Sequence, residues 1–159
     1  MIVFSNTTPF IALASIDQLD LLPKVFGNIH VATAVIDECA AGGRIMVPSL
    51  TQLSWVIPVP DETNIQLTLL FELDHGEKQT ILLAQKFKAD KVIIDERMGR
   101  SIADYLNLNV VGTLGVLAKG KQLGLIKSFR DAAFDMQSQG IYYNTQLIKR
   151  IAQQVGETP

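Results

Sequence analysis

Acidic side chains at both ends of one helix–strand unit are the first feature of this sequence that indicates chemistry. The unit runs from Leu73 to Arg100, with Glu77 near its start and Asp95-Glu96 directly after an apolar run. Clustered carboxylates repel one another unless a proton or a cation neutralises them, and hard divalent cations prefer oxygen ligands. The pattern therefore indicates a metal site.

The elements between these acids explain how they would come together. The spacing of apolar residues predicts an amphipathic helix from Lys78 to Lys88, with Asp74 as its N-cap. The β-branched run at residues 91–94 predicts a strand buried on both faces of a parallel sheet. Because ligands bind at the carboxyl edge of open α/β sheets, we expect Glu77 and the pair Asp95-Glu96 to meet at that edge.

Each of these residues also has a purely structural interpretation. Asp74-x-x-Glu77 fits a capping box, in which Glu77 only stabilises the helix start. An aspartate at a strand end, such as Asp95, often binds the backbone of the next turn. His75 has no second histidine or cysteine at ligand spacing, which favours a capping or solvent-facing role.

Composition limits the class of protein. The chain has 159 residues, 48% of them hydrophobic, and a net charge of −2. These values predict one domain (core 1–126, C-terminal helices 127–156), a cytoplasmic location and, from the apolar content, a homo-oligomer interface. They exclude a broadly basic nucleic-acid-binding surface, so any such site must be local. Cys39 is the single cysteine, which excludes an intramolecular disulfide or a Cys-based zinc cluster, and no segment predicts a signal peptide or a membrane span.

Apolar segments alternate with helical patterns along the whole chain. Further strands are predicted at Ile2–Phe4, Asn28–Val31, Trp55–Val59 and Asn109–Val111, and Thr63–Leu73 is predicted to be helical. The prolines around Trp55–Val59 predict an edge strand. The alternation predicts a three-layer α/β/α domain, Rossmann-like, with a mainly parallel central sheet. Tyr142 and Tyr143 precede the final helix, and core or interface packing is favoured for them over stacking on a substrate.

Three more polar residues belong to this predicted sheet edge. Asn6 follows the first strand, and Thr113 follows the last strand as a natural N-cap. Glu38 lies on the helix that Thr33 is predicted to cap, next to the apolar face. Capping alone explains Thr113, and a snorkelling or ion-paired side chain explains Glu38.

These residues, in this order, resemble the PIN-domain family, and more closely its bacterial and archaeal group related to VapC-type toxin ribonucleases. The matching segments are IVFSNTTPFIALASIDQLDLL, the helix with Val35 to Glu38, LDHGEKQTILLA, VIIDERMGRSIA, and VVGTLGVL with KGKQLGLI. Together they cover most of the chain from Ile2 to Ile126.

The resemblance implies a metal-dependent nuclease site. Its acidic cluster would comprise Asn6, Glu38, Glu77 and Asp95, with Thr113 as a nearby polar group that contacts the substrate. Mg²⁺ or Mn²⁺ would be the cofactor, RNA the substrate and an antitoxin protein the partner. Asn6 departs from the PIN pattern, which generally has aspartate there. Since an amide oxygen brings no negative charge, metal affinity should fall.

The preferred interpretation is a Mg²⁺- or Mn²⁺-dependent ribonuclease, with the toxin of a toxin–antitoxin pair as its biological setting. Arg97 and Arg100 would hold substrate phosphates, although ion pairs on the helix surface explain them equally well. A second interpretation is a PIN-fold module that binds nucleic acid or protein without catalysis, weakened at Asn6. A nucleotide-binding Rossmann-like domain ranks last, because no Gly-x-Gly-x-x-Gly follows the first strand.

Overall fold

The computed structural model describes residues 1–64 and 68–158. A five-stranded parallel sheet has the order β3-β2-β1-β4-β5. The strands are β1 (Val3–Ser5), β2 (Ile29–Ala32), β3 (Val56–Val59), β4 (Lys91–Ile93) and β5 (Val110–Val111). The predicted α/β class with a parallel sheet is confirmed, and β3 is an edge strand as its prolines indicated.

Helices flank this sheet to form a three-layer α/β/α domain. They are α1 (Thr7–Ala14), α2 (Leu21–Phe26), α3 (Thr33–Ala40), α4 (His75–Lys86), α5 (Arg97–Tyr105), α6 (Thr113–Gln122), α7 (Phe129–Ser138) and α8 (Thr145–Gln154). Helices α3, α4 and α5 pack in one group, whereas α2, α6, α7 and α8 pack against one another in a second. No helix in the described ranges has the length and apolar character needed to cross a membrane.

The central strands form the middle of the hydrophobic core. Val3 and Phe4 of β1 and the run Val92–Ile94 are completely buried. Burying each large apolar side chain stabilises the fold by about 1.5–3 kcal/mol, which makes an uninterrupted apolar run stable only between two helical layers. The strand predicted at residues 91–94 is therefore confirmed as buried on both faces.

The register of the sheet fixes which residues meet at its carboxyl edge. Ser5 pairs with Ile93, and Ile93 pairs with Val111. The hydrogen bonds continue past the strand ends, because the Asn6 amide donates to the Ile93 carbonyl at 3.0 Å. The Ile94 amide likewise donates to the Val111 carbonyl at 3.0 Å. The residues that follow β1, β4 and β5 therefore lie side by side.

Some local predictions differ from the structure. The helix predicted for Thr63–Leu73 includes residues 65–67, which lie outside the described residues, and a short 3₁₀ helix occupies Thr68–Glu72. Helices α3 and α6 begin at Thr33 and Thr113, so that the residues before them are the N-caps. These two threonines are not caps because their hydroxyls bind elsewhere: Thr33 donates to the Val59 carbonyl at 3.3 Å and Thr113 donates to Asp95.

Candidate functional site

Asn6 and Glu96 are in direct contact at the carboxyl edge of the sheet. The Asn6 Nδ2 atom donates to Glu96 Oε2 at 3.2 Å, and the Thr8 hydroxyl donates to Glu96 Oε1. Asn6 is only 2% exposed, and its Oδ1 atom is buried without a hydrogen-bond partner among residues 1–64 and 68–158. A buried acceptor without a donor costs about 1–3 kcal/mol, so this oxygen is a ready ligand for a cation or water.

Glu38 is held at the same edge by two donors. Thr7 Oγ1 donates to Glu38 Oε2 at 2.5 Å, and the Gly76 amide donates to Glu38 Oε1 at 2.9 Å. A Cβ atom at position 76 would lie 2.6 Å from both carboxylate oxygens. Glycine is therefore required at position 76 for Glu38 to approach the start of α4.

Glu77 lies in the first turn of α4, and its side chain points inward. Glu77 is 7% exposed, and a Cβ atom at Gly99 would lie 2.6 Å from its Oε2 atom. Burial raises the pKa of Glu77 to about 8, with further contributions from the side chain and charge of Asp74 and from the charge of Glu96. Glu77 therefore lies in an acidic environment to which Asp74 and Glu96 both contribute.

The same residues test the capping interpretation of Glu77. Asp74 caps α4, because its Oδ1 atom accepts the Glu77 amide at 2.8 Å. A reciprocal bond from the Asp74 amide to the Glu77 carboxylate is not among the hydrogen bonds of residues 1–64 and 68–158. The side chain and the amide of Asp74 nonetheless act on the Glu77 carboxyl group, because both affect its pKa, so the capping interpretation stays open beside a metal-binding role.

Asp95 is bound on the other side of the edge. Its Oδ1 atom accepts the Thr113 amide at 2.7 Å, while its Oδ2 atom accepts the Thr113 hydroxyl at 2.6 Å and the Tyr143 phenol at 2.8 Å. Thr113 is completely buried, so its hydroxyl serves Asp95. Burial, followed by the negative charge of Asp95, raises the pKa of Tyr143 and keeps the phenol protonated as a donor. Hydrogen bonds to a charged acceptor contribute about 1.5–3 kcal/mol each.

Arg97 and Arg100 belong to α5, which begins directly after Glu96. Arg97 is exposed, whereas Arg100 is half-buried and its Nη1 atom donates to the Ile94 carbonyl at 3.1 Å. In the part of the chain that the structure describes, neither arginine forms an ion pair with a carboxylate. The surface ion pairs considered for these two residues are therefore not seen.

The donor set suits a hard divalent cation. Asn6, Glu38, Glu77 and Glu96 offer only oxygen atoms, and the Asn6 Oδ1 atom has no other partner. Among residues 1–64 and 68–158, no three side chains of the types Asp, Glu, His and Cys already form a group that could hold a metal ion. The threonine hydroxyls and the Gly76 amide instead occupy the Glu38 and Glu96 oxygens.

The sequence located this edge but not all of its members. A hydrogen bond connects Asn6 to Glu96, and the charge of Glu96 contributes to the raised pKa of Glu77. Asp95 has its own three donors. The role of Tyr143 was missed, because no pattern in the sequence links the loop before α8 to the end of β4. The position of Glu96 at this edge could be expected from the sequence, because it is the second acid after an apolar strand.

The chain is similar to known PIN-domain proteins in sequence and in fold. A family model described as DUF3368, a PIN domain, matches residues 2–157. A solved structure of a PilT N-terminus domain protein from the hyperthermophilic archaeon Sulfolobus solfataricus P2 superposes with a TM-score of 0.58 at 16% identity. This superposition covers 74% of the present chain and 92% of the archaeal one, and at this identity it supports the fold alone. No curated protein matches.

Proposed function

Because the chain belongs to the DUF3368 family of PIN domains, we propose that it is a Mg²⁺- or Mn²⁺-dependent endoribonuclease whose site is the edge around Asn6. PIN domains generally depend on divalent metal ions, and the family supports a nuclease role acting on nucleic acid. RNA as the substrate and a toxin–antitoxin setting with an antitoxin partner are part of the proposal.

The observation that carries the proposal is the unpartnered Asn6 Oδ1 atom beside Glu96. A buried amide oxygen without a donor among the described residues, next to a carboxylate whose charge also raises the pKa of Glu77, favours a cation at this position. Asn6, Glu38, Glu77 and Glu96 would hold the metal ion. Asp95 lies on the Thr113 side of this site. Its hydrogen bonds to Thr113 hold the segment after β4 in position, and this segment includes Glu96.

A bound Mg²⁺ or Mn²⁺ would lower the pKa of a water molecule and stabilise negative charge on the scissile phosphate. The protein side chains have separate tasks. Glu38 lies on α3 and is oriented by Thr7, and Glu96 lies after β4 and is oriented by Thr8. Asp95 is oriented by Thr113 and Tyr143, and Arg97 and Arg100 supply positive charge for the phosphates of the bound strand.

An RNA cleavage assay tests this function. Purified protein should cut single-stranded RNA in Mn²⁺ or Mg²⁺ and leave it intact in EDTA. Glu38→Gln and Glu96→Gln should each lower the rate by about 100-fold or more while the thermal unfolding midpoint stays near that of the wild type. Asp95→Asn should also lower the rate. Cleavage that persists in EDTA, or that survives both glutamine variants, would refute the proposal.

A second candidate function is a PIN-fold module that binds nucleic acid or protein without cleaving it. The specific observation in its favour is that hydroxyl and amide donors already occupy the carboxylates of Glu38, Glu96 and Asp95. The neutral side chain of Asn6 also supports a module without catalysis, because it brings no negative charge to a metal ion. Under this alternative RNA is bound, but Mn²⁺ makes no difference to its integrity.

A further inference from the structure

Two cavities meet at β5, the strand at the end of the sheet order opposite β3. One is polar, with a volume of about 440 Å³, and the other is apolar, with a volume of about 430 Å³. We propose that they form one nucleotide-binding site for a single-stranded nucleic acid, in which the polar cavity takes a phosphate and the apolar cavity takes a base. The class of ligand rests on the proposed nuclease function.

The polar cavity presents unpaired positive charge. Arg97 and Arg100 line it together with the neutral side chains of Ser101 and Asn109. Neither arginine forms an ion pair in the described ranges, although the Asp95 carboxylate lies near the Arg100 guanidinium on the other side of Gly112. A guanidinium group recognises phosphate through two parallel hydrogen bonds. Asp104 is the one acid on this lining, and its charge should oppose an anion. The arrangement therefore favours a phosphate and predicts that Asp104 weakens its binding.

The apolar cavity adjoins the polar one at β5. Arg100 and Val110 line both cavities, so the two spaces are adjacent. The Arg100 guanidinium packs against Gly112, where a Cβ atom would lie 2.6 Å from Nη1. Asp95 also lines the apolar cavity, where its carboxylate accepts the Tyr143 phenol. The apolar part of the lining includes Val111, Leu114, Leu147 and Ile151. Its volume falls within the range of about 300–1,000 Å³ that is typical of ligand pockets.

The combination of the two cavities matches how proteins bind single strands. Such sites join a positive groove for the backbone to apolar or aromatic surfaces for the bases. With a net charge of −2, this protein needs a local cationic site of this kind to hold a polyanion. Arg97 also directly follows Glu96, which places this cationic residue next in the chain to the contact between Asn6 and Glu96.

Fluorescence anisotropy with a 5′-labelled single-stranded RNA of roughly 12 nucleotides, in EDTA, tests the phosphate half. Arg97→Met and Arg100→Met should each weaken binding about 5–10-fold and reduce the slope of log K against log salt by about 0.7. Lys24→Met is the matched control, since it removes one charge from the exposed surface of α2, and it should bind like the wild type. Asp104→Asn should bind more tightly.

The base half is tested by filling the apolar cavity. Leu147 is 37% exposed at its rim, so Leu147→Trp should fold normally and occupy the space. The wild type should bind the intact RNA more tightly than an abasic strand of equal length, and this preference should disappear in Leu147→Trp. Equal binding of the intact and abasic strands by the wild type would refute the base pocket.

The outcomes also separate this inference from the nuclease proposal. If Arg97→Met loses no more affinity than Lys24→Met, the site is refuted even when Mn²⁺-dependent cleavage is observed. If both arginine variants weaken binding in EDTA but no cleavage occurs in Mn²⁺, the nucleotide site stands and the nuclease proposal fails. The Arg97 side chain is exposed and makes no hydrogen bond in the described residues, so Arg97→Met should fold. If Arg100→Met unfolds, the affinity of Arg97→Met alone tests the phosphate site.

Discussion

Asn6 and Glu96, 90 positions apart in the sequence, are joined by a hydrogen bond of 3.2 Å from Nδ2 to Oε2. The bond orients the amide so that its other atom, Oδ1, is buried without a donor. An aspartate at position 6 would place a second carboxylate against Glu96, whereas asparagine donates to it. The amide therefore stabilises the metal-free protein and lowers the negative charge available to a cation.

The first prediction concerns this pair. Asn6→Asp should lower the metal-free unfolding free energy by about 1–3 kcal/mol, because a donor becomes a like charge beside Glu96. The same substitution should strengthen Mn²⁺ binding, since it adds a charged oxygen ligand. Thermal unfolding without metal and calorimetric titration with Mn²⁺ measure the two effects. A variant that is destabilised but binds Mn²⁺ no better than the wild type would count against a metal position here.

The second prediction concerns the glycine that admits Glu38. Gly76→Ala should destabilise the protein by about 1–3 kcal/mol, because the new Cβ atom would lie 2.6 Å from the Glu38 carboxylate oxygens. Helix propensity alone predicts the opposite sign, a gain of up to about 1 kcal/mol. Gly43→Ala is the matched control, since a Cβ atom there meets nothing within 4 Å. Denaturant unfolding that shows Gly76→Ala to be as stable as this control would refute the close approach.

The third prediction concerns the phenol that reaches Asp95. Tyr143→Phe removes the 2.8 Å hydrogen bond to Asp95 Oδ2 and should cost about 1.5–3 kcal/mol in unfolding free energy. Tyr142→Phe is the control, because Tyr142 is 81% exposed and should lose nothing measurable. Urea unfolding of both variants gives the comparison. Equal stability of the two would mean that the Tyr143 phenol does not hold Asp95.

The sequence predicted the strands and the burial of β4 because local patterns of apolar and β-branched residues determine both. The apolar, β-branched run before Asp95 favoured a buried parallel strand, which placed Asp95 at the carboxyl end of that strand. Which of two consecutive acids faces the neighbouring strand is a different question, since it depends on how the chain turns after Ile94. The structure answers that Glu96 meets Asn6, whereas Asp95 meets Thr113.

Contacts between distant segments could not be predicted from the sequence, because they too depend on the three-dimensional path of the chain. Tyr143 lies 48 positions from Asp95, and only the packing of the C-terminal helices brings its phenol to the sheet edge. Thr113 was predicted to cap a helix through its hydroxyl, but the buried Asp95 carboxylate is a stronger, charged acceptor for that hydroxyl. The predicted roles of Asn6, Glu38, Glu77 and Asp95 in metal binding stay predictions.

The fourth prediction concerns pH and the C-terminal segment. Glu157 accepts the Phe129 amide at 2.6 Å and the Arg130 amide at 2.9 Å, at the start of α7. Burial alone would raise the pKa of Glu157, but these amides and the Lys121 ammonium outweigh it and lower the pKa below its usual value of 4.5. A lowered folded pKa contributes stability that is present above 4.5 and is lost as the pH falls through the folded value.

Stability measured against pH checks this contribution. Glu157→Gln should cost about 1 kcal/mol of unfolding free energy at pH 7, and the difference from the wild type should shrink as the pH drops below the usual value. Glu72→Gln, at an exposed position, is the control and should follow the wild-type curve. A difference that stays constant down to pH 3 would show that the charge of Glu157 does not cap α7.

The most direct test of a metal-dependent nuclease at the Asn6 edge is the rate of single-stranded RNA cleavage in Mn²⁺ by the wild type and by Asn6→Asp. We predict that the wild type cuts slowly, that Asn6→Asp cuts about tenfold faster or more, and that EDTA abolishes both activities. RNA of varied sequence and structure that survives in Mn²⁺ with both proteins would contradict the nuclease proposal and leave the PIN fold without this chemistry.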